Sequence, residues 1–282
     1  MSPDSPVVSP DSPVVAPARA SGRTGRLALG AVVTAIYVFL LAPVAIIVFS
    51  SFNPTEANTF PPTGFSLRWY AKFFDSAGFV NAFRFSLWLA VVAAVVATAI
   101  GFLTAYGLVR AGRRGQGLVQ SLAMLPMMVP HLLISISLLL ALLVVPVPDL
   151  AALVIGHVLI CLPFAIACIV ASLEGIDAQL ELAALTLGAS RLRALWEVVI
   201  PLVAPGLLSA LLFTFMVSFG DVYIALFLSG PGRTTLPIEI FAYMQWESTP
   251  VVAAITSLQI LLIIALGLII ERLVGLRKIM RV

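Results

Sequence analysis

Residues 27–49 read LALGAVVTAIYVFLLAPVAIIVF, an apolar run that contains no charged side chain. A helix needs about 20 apolar residues to cross the hydrocarbon core of a bilayer, and this run is long enough. A cleavable signal peptide would have a shorter apolar core of about 7–15 residues, followed by a small-residue cleavage site. No convincing site of that kind follows here. The run therefore predicts a retained first transmembrane helix.

Apolar runs recur at residues 83–109, 118–145, 150–172, 202–228 and 251–270. Pro126 and Pro130 lie inside the third run of the chain, where they predict a kink or a partly unwound turn. Only 10% of the residues are charged and 61% are hydrophobic, whereas soluble domains carry about 25% charged residues. The sequence predicts an all-α fold, a polytopic membrane protein with six transmembrane helices.

The chain divides into a short tail and one membrane domain. Residues 1–26 contain SPDSPVV twice, followed by three arginines. Proline at this density blocks helices and sheets, so we expect a disordered cytoplasmic tail. Residues 27–275 form the predicted transmembrane domain, and residues 276–282 form a cytoplasmic C-terminus.

Lysine and arginine are distributed unevenly between the loops. Cytoplasmic termini would place twelve of these 16 residues inside and four outside, and the opposite topology would invert this ratio. Because cytoplasmic loops carry the excess of basic residues, both termini are predicted to be cytoplasmic. The basic residues lie between apolar runs rather than on one face, which argues against a nucleic-acid partner and fits a lipid bilayer.

Residues 173–201, called the polar segment below, are too polar to cross a membrane. Residues 174–187 favour a helix, Gly188 permits a sharp turn, and Ser190 can cap a second helix that ends at Pro201. Two short helices that meet at a glycine could fit a groove on a partner. An ordinary connection between two spans explains the same pattern.

The polar segment resembles the EAA loop of permease subunits in binding-protein-dependent ABC importers. The residues in register are Ala183, Ala184, Gly188, Val198, Ile200 and Pro201. The position of the family's glutamate is occupied by Leu182, and Glu181 stands one residue earlier. A one-residue offset rotates a helical side chain by about 100°.

Other stretches resemble the spermidine/putrescine-type permeases, and the resemblance covers residues 28–275. The matching stretches are LRWY at 67–70, AY at 105–106, LP at 125–126 with Pro130, SGPG at 229–232 and TLP at 235–237.

The resemblance implies a type I ABC importer permease in the bacterial inner (plasma) membrane, with a polyamine-like or related small organic solute. It implies three protein partners: an ABC ATPase subunit, a second permease subunit (identical or homologous) and a periplasmic solute-binding protein. The ATPase would dock on the polar segment, at Glu181, Ala183, Ala184, Gly188, Ile200 and Pro201.

The chain lacks a phosphate-binding loop, a zinc signature and a nucleophile elbow. We therefore expect no catalytic residues, no cofactor and no metal site. If transport is driven by ATP, a separate subunit must hydrolyse it.

Asp221 and His131 are the candidate residues of the solute pathway. A carboxylate at the centre of a bilayer costs about 2.5–3.5 kcal/mol, so Asp221 should face a cavity or a partner. It could contact a cationic solute, or it could be a structural acid neutralised by Arg233. His131 and His157 could line a pathway or relay protons, but a packing role is the simpler explanation of each.

Two other functions remain open at this stage. A stand-alone secondary carrier or channel would show inverted repeats with discontinuous helices in matching places, and no convincing repeat is present. An intramembrane enzyme would need paired catalytic groups at membrane depth. The sequence offers Asp221, His131 and His157 there, without a recognisable catalytic spacing.

Overall fold

The computed structural model describes residues 23–57, 59–110 and 116–274. Its helices in chain order are α1 (Arg23–Ser50), α2 (Arg68–Asp75), α3 (Ala77–Arg110), α4 (Gln116–Met128), α5 (His131–Val144), α6 (Asp149–Glu174), α7 (Gln179–Thr186), α8 (Arg191–Ala194), a π-helical turn (Leu195–Val199), α9 (Ile200–Gly220), α10 (Tyr223–Leu228), α11 (Leu236–Met244) and α12 (Val251–Val274). The predictions for residues 1–22 and 276–282 fall outside the described residues.

Five helices in the described part of the chain are long and apolar enough to cross a membrane. They are α1, α3, α6, the continuous helix Arg191–Gly220 and α12. Helices α4 and α5 form a bent pair that brings the number to six if the pair counts as one span. The all-α membrane fold predicted from the sequence is therefore confirmed.

The bend between α4 and α5 is sharp, with an angle of 103°. Helix α4 ends at Met128, and Pro130 is the N-cap residue of α5. Proline has no backbone N–H and disfavours helical geometry at the preceding residue, so the chain turns at this place. The sequence predicted a kink here, and the structure shows a larger break.

Residues up to Ile46 form a compact unit separate from residues 47 onward. The described part of the first unit is most of α1, which begins at Arg23. Residues 23–26, which the sequence assigned to the disordered tail, are therefore helical. The side chains of this helix are mostly exposed and apolar, as expected for a helix surrounded by lipid.

Helices α3, α6 and α9 form the centre of the second unit, and each carries fully buried small side chains. Gly206 of α9 illustrates how closely they approach, because a Cβ atom there would lie 2.3 Å from Cβ of Ser172 on α6. Small residues allow such backbone approach, and van der Waals packing of this kind is a main source of helix association in lipid.

The prediction that a helix ends at Pro201 is wrong. Residues 191–220 form one continuous helix that passes through this proline. The π-helical turn (Leu195–Val199) lies just before Pro201. There the N–H of Ile200 bonds to the carbonyl of Leu195, five residues back. Proline has no backbone N–H to donate, and its ring crowds the preceding turn of the helix. The wider π-helical turn shifts the backbone hydrogen bonds just before Pro201.

The predicted fifth span, residues 202–228, is also too long. Helix α9 ends at Gly220, and Asp221 has extended backbone geometry with ψ of 134°. Oδ2 of Asp221 accepts the N–H of Ile224 at 2.8 Å. An aspartate that bonds to the backbone three residues ahead starts a new helix, so α10 forms a separate element against α5 and α6.

Two short helices lie at the opposite end of α9 from α7. Helix α2 buries Trp69 and Phe73, and Trp69 Nε1 donates to the carbonyl of Asn53 at 2.7 Å. Helix α11 lies between the apolar runs 202–228 and 251–270, and its first residue, Leu236, is fully buried. We call this side of the second unit the α11 end and the other side the α7 end.

Candidate functional site

The polar segment contains the predicted tight turn, which joins α7 to the start of the continuous helix Arg191–Gly220. The helix predicted for residues 174–187 is shorter, because Glu174 ends α6 and α7 begins only at Gln179. Helix α7 carries Glu181, Ala183 and Ala184 and ends two residues before Gly188. Gly188 has φ of +90°, a geometry that residues with a Cβ rarely adopt. The hydroxyl of Ser190 accepts the N–H of Arg193 and caps α8. Ile200 and Pro201 lie at the start of α9, beyond the π-helical turn.

Glu181 points toward α3 and not toward solvent. Its Oε2 lies 3.0 Å from Nε of Arg110, the last residue of α3. The hydroxyl of Tyr106, one turn earlier on α3, donates to Oε1 of Glu181. A cleft of about 480 Å³ is lined by these three residues and by Arg191, among others. Helix α7 is thus fastened to the end of α3 through one carboxylate.

Several large apolar side chains of the polar segment are exposed among its charged residues. They are Leu180, Leu182, Leu187, Leu192 and Trp196. Leu187, beside the Gly188 turn, is 89% exposed. The exposed charges of Arg193 and Glu197 pair with each other at 3.0 Å. Since residues 175–190 lie between two candidate membrane spans and in neither of them, the exposed leucines at 180, 182 and 187 favour contact with another surface.

Asp221 and His131, the two pathway candidates, lie together in the structure. Nδ1 of His131 is 3.3 Å from Oδ1 of Asp221, whose side chain is almost fully buried. The carboxylate also accepts the N–H of Ile224. The side chain beside the Asp221 carboxylate is therefore His131, whereas the sequence suggested Arg233. This site lies where α9 ends and where α5 begins after the bend.

His157 belongs to a different contact, between α6 and α9. Its Nδ1 is 2.9 Å from Oγ of Ser218, and the side chain is fully buried. One turn away, Sγ of Cys161 donates to the carbonyl of Thr214 at 3.2 Å. Because both pairs join the same two helices inside an apolar bundle, His157 and Cys161 align α6 with α9.

A polar network at the α11 end connects α2 to the loop after α11. Lys72 Nζ donates to the Tyr243 hydroxyl at 3.1 Å and lies 3.3 Å from Oε2 of Glu247. The Tyr243 hydroxyl in turn donates to Glu247. The hydrogen bond with Tyr243 is the first cause of the raised pKa of Lys72 and of the lowered pKa of Glu247. Trp246, next to this network, is 90% exposed.

The sequence did not identify Tyr106 and Arg110 as partners of Glu181. In the sequence, Tyr106 belongs to the AY stretch at 105–106, and Arg110 is one of the basic residues that follow the apolar run 83–109. Their spacing of four residues at the end of an apolar helix was the available signal, because it places both on one helix face. Tyr106 and Glu181 are 75 residues apart in the chain, so their contact leaves no local sequence pattern.

Known proteins are similar to this chain in sequence and in fold. The family model described as "Binding-protein-dependent transport system inner membrane component" matches residues 97–278. The chain is 32% identical over 247 residues to the spermidine/putrescine transport system permease protein PotC of Escherichia coli (strain K12), covering 87% of this chain and 92% of that protein. It is 32% identical over 230 residues to the putrescine transport system permease protein PotI of the same strain, covering 79% and 82%.

A solved structure of a bacterial ABC transporter involved in the import of the acidic polysaccharide alginate has the same fold. The TM-score is 0.66 at 18% sequence identity, and the alignment covers 90% of this chain and 99% of that chain. The sequence matches show that the chain is a multi-pass inner-membrane permease subunit, and the solved structure shares its all-α fold. The chain belongs to the family of inner-membrane components of binding-protein-dependent transport systems.

Proposed function

We propose that this permease carries a polyamine or a related organic cation, and that Asp221 contacts the solute. The buried carboxylate of Asp221 at the junction of α9 and α10 is the observation that supports this most directly. A negative charge at membrane depth is costly unless a cation or a hydrogen-bonding partner faces it. The relatives PotC and PotI are named for spermidine and putrescine, which are cations at neutral pH.

The His131 imidazole beside Asp221 can be displaced by a solute and can return when the solute leaves. The histidine side chain is about one third exposed, whereas the Asp221 side chain is 1% exposed. An ammonium group of a solute that approaches from the side of His131 can take the place of the imidazole beside the carboxylate. The bend before α5 leaves His131 at the start of a helix, where its backbone is not held in a longer span.

The polar segment would dock on a separate ATPase subunit. It presents exposed leucines around a turn that Gly188 holds in a left-handed geometry. Two permease subunits, identical or homologous, would enclose the pathway, and a periplasmic solute-binding protein would deliver the solute to the α11 end. ATP-driven closure of the ATPase subunits would move the polar segments and switch the spans between inward and outward access.

Both termini and the polar segment would lie in the cytoplasm. This orientation places twelve of the 16 basic residues inside, in agreement with the positive-inside rule. The α11 end, with Trp246 and the Lys72 network, would then face the periplasm.

The whole assembly tests the proposal. The tagged chain is purified in mild detergent from its native membrane, and the co-purified chains are identified. We expect an ATPase with a phosphate-binding loop and a second permease. Uptake of labelled putrescine and spermidine into cells that carry or lack the chain should differ strongly. A lone, folded chain that moves solute without ATP would contradict the proposal, and equal polyamine uptake in both strains would contradict its choice of solute.

The orientation is tested by two cysteines at opposite ends of the bundle. Leu187→Cys and Trp246→Cys replace side chains that are 89% and 90% exposed. Both are made in a chain with Cys161→Ser and Cys168→Ser, which keeps a hydroxyl donor toward Thr214. In intact spheroplasts we expect a membrane-impermeant maleimide to label Trp246→Cys only. Labelling of Leu187→Cys instead would reverse the proposed topology.

A further inference from the structure

Adjacent residues of α7 face different surroundings. The side chain of Glu181 is 15% exposed and lies against the end of α3. The next residue, Leu182, is 51% exposed. Successive residues of a helix differ by about 100° in direction, and of these two side chains the leucine is the more accessible to a partner.

The carboxylate of Glu181 is already paired with Arg110 of the same chain. The side chain of Arg110 is 19% exposed, so both members of the ion pair have lost most of their contact with water. Tyr106 occupies the other carboxylate oxygen. Removing one member of such a pair leaves an uncompensated charge, which is strongly destabilising. Glu181 cannot pair with a second protein unless it gives up Arg110.

Both partners of Glu181 belong to a helix at the centre of the bundle. Tyr106 and Arg110 are one turn apart on α3, and Ala105 beside them is fully buried against α6 and α9. A displacement of α7 is therefore passed directly to α3. The chain connection to α9 through α8 gives the polar segment a second attachment, on another helix.

We propose that Glu181 is a positioning residue that fastens α7 to α3, and that Leu182 supplies the contact with the ATPase subunit. The partner groove opposite Leu182 is accordingly apolar and needs no cationic side chain at that point. This inference rests on the proposed docking of the polar segment. The rival assignment, in which Glu181 itself binds the partner, makes the opposite prediction for Arg110.

A charge exchange separates the two assignments. Glu181→Arg, Arg110→Glu and the double variant are expressed with the other subunits of the complex. We expect each single variant to increase amide hydrogen exchange of residues 179–186 by about tenfold. Recovery of the ATPase should fall in both single variants, and the double variant should restore both measurements. The control swaps the charges of Arg193 and Glu197, an exposed pair in the same segment. This swap should change neither the hydrogen exchange of α7 nor the recovery of the ATPase.

Several results would overturn the inference. If Arg110→Glu leaves the exchange of α7 unchanged, or if the double variant is as defective as Glu181→Arg, then Glu181 does not act through Arg110. Should the exchanged pair fail to fold, Glu181→Gln and Tyr106→Phe replace it, and unchanged α7 exchange in Glu181→Gln would refute the anchoring role. Absence of any ATPase with the wild-type chain would refute the proposed function instead, while the exchange data would still decide the role of Glu181.

Discussion

Replacement of Gly188 with alanine is expected to weaken recovery of the ATPase subunit by roughly 5- to 30-fold. The φ angle of +90° costs an L residue about 1–2 kcal/mol, which corresponds to that range. Among the described residues no heavy atom lies within 4 Å of the position of the added Cβ, so the strain is confined to the backbone. Gly188→Val should have a larger effect, because β-branched residues tolerate this geometry least. Co-purification from detergent measures both.

Gly175 offers a matched control in the same polar segment. Its backbone is right-handed with φ of −78°, and a Cβ there would meet its nearest atom, the carbonyl oxygen of Ser172, at an ordinary 3.5 Å. Gly175→Ala should therefore leave ATPase recovery unchanged or improve stability slightly. Equal recovery with Gly188→Ala and Gly175→Ala would show that the turn geometry does not matter for docking.

Asp221→Asn is expected to lower uptake of the cationic solute by about 10- to 100-fold. The asparagine keeps an oxygen that can accept the N–H of Ile224, so the start of α10 is preserved. It loses the negative charge, and a hydrogen bond to a charged group is worth about 1.5–3 kcal/mol. Initial rates of labelled putrescine uptake measure the effect, and the amount of assembled complex in the membrane is measured in parallel.

Asp149→Asn provides the comparison, because this exposed acid in the first turn of α6 lies outside the Asp221 site. It should leave uptake unchanged. His131→Gln should be milder than Asp221→Asn, since the carboxylate then keeps both its charge and its bond to Ile224. Unchanged uptake kinetics in Asp221→Asn, with normal assembly, would remove this residue from the pathway.

Local sequence patterns predicted the elements whose signal is local. The apolar runs identified the spans, Pro126 and Pro130 located the break between α4 and α5, and Ser190 was correctly assigned as a cap. Gly188 was predicted as a turn, and its φ angle explains why glycine occupies that position. Each of these features depends on residues within a few positions of one another.

Other features depend on contacts that a local pattern does not contain. The continuation of the helix through Pro201 requires the π-helical turn, and the sequence LWEVVI at residues 195–200 gives no sign of it. The end of α9 at Gly220 follows from the bond between Asp221 and Ile224. Helix α11 is stabilised by burial of Leu236, whose N–H donates to Ser86 on α3 at 2.7 Å.

The π-helical turn at Leu195–Val199 also fixes the rotation of α9 about its axis relative to α8. Each residue of a helix advances the side-chain direction by about 100°, so the count of residues between α8 and α9 fixes how far one is rotated against the other. Deletion of one residue from the turn would rotate all of α9 relative to Ser190 and move Thr214 and Ser218 away from Cys161 and His157. The length of the π-helical turn is therefore constrained by the contacts that α9 makes with α6.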